Sequence, residues 1–288
     1  MVMPLVIREK TSTYTKHDQL HKKLIHTFFK EFLKVFFPDV HKQIDFHAIK
    51  PISEEVYTDI VEGETRRLDI VVETKIRNTD VVIIVHIEPQ SYVQRHFHER
   101  MFHYFSLLYN KYRRPIVPIA VFSYKENWEK NKYTMEFPFL YVLTFNFLTL
   151  HLKKENWRDY IRSDNPVAAA LLSQMGYDKV EKIEVKKEFL RMLTRMELDP
   201  AKQRLIYGFF ETYLKLSEEE EEKLMKEIRD LPEAEKILEI PISYEEKGRV
   251  EGVKQVAMEM IKEGASLEFI SKVTKLTMEE LEKLKKHI

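Results

Sequence analysis

Cysteine is absent from this 288-residue chain. That removes disulfides, thiolate zinc sites and cysteine nucleophiles together, so any metal must sit on oxygen or imidazole ligands. Glycine is scarce, at six residues, and no G-x-S-x-G, P-loop or G-x-G-x-x-G is present. The common nucleophile-elbow and phosphate-cradling loops are thereby excluded. Forty-seven basic residues balance forty-seven acidic ones. Zero net charge argues against an indiscriminate basic nucleic-acid coat while leaving room for a local basic channel. Long hydrophobic runs are lacking too. The longest apolar segment, residues 137–152, contains Pro138, Asn146 and His151 and is too short and too polar to span a membrane. The opening MVMPLVIREKTSTY lacks the apolar stretch and cleavage site of a signal peptide, so a cytoplasmic protein without a membrane partner is expected.

What is present suits one large domain or two smaller ones, because 44% hydrophobic content is ample for a core at this length. Residues 15–37 carry Leu20, Leu24, Ile25, Phe28, Phe29, Phe32, Leu33 and Phe36 at helical spacing, with Pro38 as the stop. Residues 40–62 read as irregular, with room for a short strand. Residues 68–75 and 81–90 are β-branched strands around an Asn-containing turn. The run VVIIVHI is apolar on both faces, which predicts a buried central strand. Residues 92–112 return to helical period, residues 116–124 form a buried strand, and residues 139–150 suit one or two more. A helix, strands, crossover helix and further strands make an α/β sandwich, a mixed sheet flanked by helices.

Composition shifts near Asn165, and residues 166–231 read as helices. The five-glutamate run after Ser217 is an ordinary helix N-terminus. Residues 240–253 look like a linker into a long polar helix. Beyond it Gly264 ends one helix, Ser266 caps the next, and Thr277 with Glu280 forms a capping box. These helices suit a helix-turn-helix or an interaction tail, and the want of a basic recognition helix favours the tail.

The strand pair carries the chemistry. If its turn is centred between Asn78 and Thr79, residues whose numbers sum to 157 face each other. Asp69 and Glu88 then oppose each other on one face, with Cβ atoms roughly 4.5–5.5 Å apart. Two carboxylates that close repel unless a cation lies between them or one pKa rises. A site for Mg²⁺ or Mn²⁺ is one reading, and an incidental acid pair at a solvated strand end is the other. Gln90 shares the face of Glu88, where its amide could hold an attacking water. The Pro89 carbonyl is a further candidate ligand, and a proline there marks a strand end or bulge.

Asp69 followed by Glu88-Pro89-Gln90 resembles the PD-(D/E)xK nuclease motif in an E-x-Q form. The surrounding segments HDQLHKKLI, RRLDIVVE, VHIEPQS, ERMFHYFSLLY, RPIVPIAVF and SYEEKGRVEG are similar to the Rpn family of recombination-promoting nucleases, also called YhgA-like. The likeness runs along essentially the whole chain. It implies a restriction-endonuclease-like α/β domain at residues 1–165, a helical region at 166–239, and a linker with a helical interaction tail at 240–288. It implies a metal-dependent DNA endonuclease acting in recombination or transposase-like DNA breakage, with DNA as partner; separately, the C-terminal helices suit a homodimer through the helical regions. Asp69 and Glu88 would bind metal, and Gln90 stands where most such enzymes place a lysine. Asp18 matches a family acid that approaches the site. Glutamine can orient water but brings no positive charge, so a catalytically weak or inactive DNA-binding or assembly module is the alternative.

Arg100 and Tyr104 match the family's Arg and Tyr on the crossover helix. Arg100 either faces the site or a phosphate, or is a structural ion-pair arginine; Tyr104 has a core alternative. Arg67, Arg95, Lys111, Arg113 and Arg114 are candidate DNA contacts or solvated charges. His98 and His103 are five residues apart, about 500° of helix, and cannot form a zinc pair. His17 and His21 have i, i+4 spacing but no recognisable third ligand.

Overall fold

The structure is a computed structural model. It describes residues 11–52, 56–58, 65–67, 70–79, 82–90, 93, 96–124 and 131–286, and of residues 11–18, 56–58, 65–67, 82–83, 241–251 and 286 the backbone only. Two compact units divide the chain, Met1–Lys226 and Glu227–Ile288.

The first unit is mixed α/β. Strands β1 (Ile44–Pro51), β4 (Ile70–Ile76), β5 (Val82–Gln90), β6 (Ile116–Phe122) and β9 (Leu148–His151) lie side by side in that order. The short strands β2 (Val56–Thr58) and β3 (Thr65–Arg67) pair with each other in a two-stranded sheet. β1, β4 and β5 are antiparallel neighbours, whereas β5–β6 and β6–β9 are parallel. Every described pair of β4 and β5, from Ile70↔Ile87 to Lys75↔Val82, sums to 157 as the turn symmetry requires. Asn78 makes the turn with φ 60, a left-handed value that asparagine tolerates better than most residues. Residues 40–62, expected to be irregular with room for a short strand, contain the edge strand β1. A register shift between Asp45 and Lys50 blurs its alternation.

Helix α4 (Phe97–Tyr112) is the crossover between the parallel strands β5 and β6. Phe97, Met101, Tyr104 and Leu108, spaced by three or four residues, are its buried stripe. Between β6 and β9 the described residues form a ribbon: β7 (Lys132–Phe137) paired with β8 (Leu140–Asn146). Phe145 and the following Phe147 join Phe97, Met101, Ala120 and Phe122 in one apolar cluster, with Phe102, Phe105 and Tyr133 against it. The ribbon's far end leaves Phe139 85% exposed and Tyr141 69% exposed.

The single helix expected over residues 15–37 is two helices, with a third after Pro38. α1 (Thr11–Thr27) gives way at Phe28 to α2 (Phe29–Phe36), and α3 is Pro38–Gln43. Pro38 stops one helix and starts the next, because its fixed φ and missing N–H suit a first helical position. α1 packs on β4 and β5. Leu24, Ile25, Phe32 and Leu33 are fully buried.

α5 (Pro166–Leu171), α6 (Lys182–Arg195), α7 (Pro200–Tyr213) and α8 (Glu218–Arg229) follow, and α1 and α2 dock against α7 and α5. Asn165 caps α5, accepting from Val167 and Ala168 N–H at 3.0 Å each, while its Nδ2 donates to Glu31 O of α2 at 2.9 Å. His21 is buried with Nε2 2.7 Å from Gln174 Oε1 and Nδ1 3.3 Å from the Tyr213 hydroxyl. The acidic run after Ser217 is a capped N-terminus: Ser217 N–H donates to Glu220 and Glu220 N–H donates to Ser217 Oγ. Glu221 also reaches the buried ammonium of Lys186, 2.5 Å from it and 2.7 Å from Glu211.

The second unit begins within α8 and contains α9 (Ala234–Leu238), α10 (Pro241–Lys262), α11 (Leu267–Thr274) and α12 (Met278–Lys286). α10 starts at Pro241, where the sequence reads as a linker, again with proline in the first turn. Gly264 with φ 80 ends α10, Ser266 caps α11, and Thr277 with Glu280 opens α12. Ala257, Ile270 and Leu281 form the small core of the last three helices. No helix among the described residues is long and apolar enough to cross a membrane.

Two stability measurements follow from the helical contacts. Asn165→Ala removes a cap and the bond to Glu31 together, so urea unfolding should show a loss of about 1–3 kcal/mol. Burial, aided by repulsion from Glu221 and opposed by attraction to Lys186, holds the Glu211 carboxyl above the ordinary carboxylate range. A carboxyl raised on folding contributes stability that is full at acid pH and lost as the pH climbs through its folded pKa. Glu211→Gln, which does not ionise, should therefore gain stability relative to wild type between about pH 4 and about pH 7. Urea midpoints that run parallel across that range would contradict this.

Candidate functional site

Residues 84, 86, 88 and 90 of β5 share one face by the two-residue period of a strand. Ile84 packs with Tyr104 and Leu108 of α4, so this face looks toward that helix. Three polar side chains continue the row, and all are buried: His86 fully, Glu88 and Gln90 at 5% exposure each. The peptide groups of these even-numbered residues point toward β6, while α4 covers their side chains. Ile84 N–H donates to Pro115 O at 2.8 Å, and Gln90 O accepts from Ser123 N–H at 3.0 Å. Pro89 belongs to the odd-numbered set, so its missing N–H costs the β5–β6 ladder nothing. Gln90, one residue later, is the last described residue of the strand.

Arg100, in the first turn of α4, closes the row. Its Nη2 donates to Gln90 Oε1 at 2.6 Å and to Glu88 Oε1 at 3.2 Å. The guanidinium lies 5.1 Å from the Phe97 ring centre and 5.9 Å from that of Tyr104. His86 Nε2 is 3.5 Å from the other Glu88 oxygen, Oε2, and its ring meets Tyr104 edge-on. A carboxylate with 7% of its side chain exposed thus has a cation at hydrogen-bond distance and an imidazole beside it. A buried charge is tolerable only on such terms. The Gln90 amide is oriented as well: its oxygen takes the Arg100 N–H, which turns its NH₂ end away from the guanidinium.

The sequence-derived residues fall into three groups. Glu88, Gln90 and Arg100 are brought together, with Pro89 between the first two. Tyr104, one turn on from Arg100, is both a buried aromatic and the neighbour of His86. Asp69 and Arg95 lie outside the described residues, as do the side chains of Asp18, on α1, and Arg67, on β3. Lys111, Arg113 and Arg114 are described and exposed, but at the other end of α4. Lys111 is eleven residues, about 16 Å of helix, beyond Arg100. Pro115 pairs with Ile84 near the start of β5, so this basic cluster sits away from Glu88 and not beside it. His98 is against Tyr133, and His103 is exposed.

His86 is the site residue that sequence reasoning passed over. The signal was available, because His86, Glu88 and Gln90 alternate with apolar residues in a run otherwise buried on both faces. Among the described residues no group of three or more His, Asp or Glu side chains is arranged to hold a metal ion. Comparison with protein-family models, with curated proteins and with solved structures returned no match.

The described arrangement offers one anionic oxygen ligand, a fixed amide, a guanidinium suited to phosphate or carboxylate, and an imidazole. Glu88→Ala would leave Arg100 and His86 facing a void, and breaking such a buried pair costs about 3–5 kcal/mol. A urea midpoint equal to wild type would show that the pair contributes no net stability.

Proposed function

We propose that this protein is a metal-dependent nuclease that hydrolyses DNA phosphodiester bonds, on a restriction-endonuclease-like core, with Mg²⁺ or Mn²⁺ as its cofactor. The observation that carries the proposal is the buried row Glu88–Gln90 at the end of the central strand, with Arg100 bonded to both. The register supports it: the pairs of β4 and β5 follow the same sum that a facing Asp69 and Glu88 would need. The sequence resemblance to the Rpn nucleases points the same way and adds recombination or transposase-like DNA breakage as the cellular setting.

The donor set suits a hard cation. Glu88 is an acidic oxygen ligand shielded from bulk water, and with Asp69 and the Pro89 carbonyl it would form an all-oxygen set of the kind that selects Mg²⁺ or Mn²⁺. Such an ion supplies charge on the scissile phosphate and a water of lowered pKa. Glu88 and Asp69 would hold it, and Asp18 would support the site from α1. Gln90, whose amide is fixed by Arg100, would orient water through its NH₂ end.

One observation favours a second reading, a DNA-binding or assembly module without catalysis. Arg100 already neutralises Glu88, as a structural ion pair would. Incubating supercoiled plasmid with purified protein in Mg²⁺, in Mn²⁺ and with chelator separates the two. Metal-dependent nicking that Asp69→Ala and Glu88→Ala each abolish is the expected outcome. Nicking that survives both changes overturns the site, and a wild-type protein that binds DNA without nicking it leaves the second reading.

A further inference from the structure

We propose that Arg100 is the resident cation of this site and the positioning residue of Gln90, delivering from helix α4 the positive charge that glutamine does not bring from strand β5. The inference rests on the nuclease reading above and deepens it.

Hydrolysis of a phosphodiester loads negative charge onto the phosphate oxygens, and a preorganised cation or donor aimed at that charge is commonly the largest single contribution to the rate. Gln90 is neutral. Arg100 Nη2, however, stands 2.6 Å from the Gln90 oxygen and 3.2 Å from a Glu88 oxygen, so a guanidinium lies beside both residues even though Glu88 is paired with it. The position is held firmly. Arg100 is on the first turn of a helix anchored by Phe97, Met101 and Tyr104, and two of those rings flank its guanidinium. Its side chain is 16% exposed, so the charge acts where water screens it weakly.

A solvated phosphate-binding arginine would look different. Lys111, Arg113 and Arg114 are exposed at the far end of the same helix, and two of them rest on neighbouring tyrosines, Lys111 on Tyr112 and Arg113 on Tyr109. Arg100 alone among the described cations of α4 meets the two functional side chains of β5. The bond to the Gln90 oxygen also fixes which end of the amide is a donor, so position 90 depends on position 100 for its orientation.

The test relocates the charge. Plasmid nicking in Mn²⁺ is measured for wild type, Arg100→Ala, Arg100→Met, Gln90→Lys and the double variant Arg100→Ala/Gln90→Lys, with circular dichroism to follow folding. Arg100→Ala and Arg100→Met should lower nicking about 100-fold. Millimolar guanidinium ion, or the lysine of the double variant, should recover at least about tenfold of that loss, since either returns a cation to the vacated place. Gln90→Lys alone should gain nothing, because it sets two cations together. Folded Arg100 variants that nick at the wild-type rate overturn the inference and leave the nuclease reading standing. A loss that neither guanidinium nor Gln90→Lys repairs overturns it too, by reducing Arg100 to a structural part. If neither single variant folds, Arg100→Lys decides: retained nicking supports the charge role, and lost nicking in a folded protein refutes it. A wild-type protein inert in both metals removes the nuclease reading and the inference with it, an outcome distinct from the others.

Discussion

Strand β5 is paired on both edges and covered on both faces, and the rest of the site answers to that constraint. A strand so placed gives its side chains no bulk water, yet it carries His86, Glu88 and Gln90 in sequence on one face. An apolar environment would push a lone carboxylate toward its neutral form. The guanidinium of Arg100 and the imidazole of His86 let Glu88 remain there, and the crossover geometry brings them. A helix that returns the chain from the end of β5 to the start of β6 must begin beside the residues that end β5. The first turn of α4 is therefore the natural place for a partner to Glu88, and the last turn is not.

The same geometry accounts for what could and could not be read from the sequence. The β4–β5 register was legible, because a short turn fixes which residues oppose each other and the two-residue period fixes the face. The central burial of β5 was legible from an apolar run with no polar side. The contact of Arg100 with Gln90 was not, since it depends on the rotation of α4 about its own axis against the sheet. The distance of Lys111–Arg114 from Glu88 was recoverable in principle: a crossover helix runs antiparallel to its strands, so its two ends serve opposite ends of the sheet.

Other elements were hidden by context. The bulge in β1 breaks the alternation that marks a strand. Pro38 and Pro241 read as a stop and a linker, but a proline also suits the opening turn of a helix, and only the following residues decide which role it takes. Residues 139–150 were recognisably extended, while their division between a separate ribbon and the fifth strand of the sheet is a tertiary choice. The burial of His21 was hidden because its partners, Gln174 and Tyr213, come from helices far along the chain.

Those distant partners set an order of assembly. The β4–β5 hairpin, with Glu88 and Gln90 on its second strand, joins residues that are near neighbours in sequence, and α4 follows directly with Arg100. Docking of α1 and α2 relies instead on Asn165 meeting Glu31 and Gln174 meeting His21, across 134 and 153 residues of chain. Contacts of such long separation carry a larger loop-closure cost and slow the step that makes them. The acid–amide–guanidinium cluster is thus built from local chain, and the helix that bears Asp18 can lock against the helical layer only after residues 165–213 have emerged and folded.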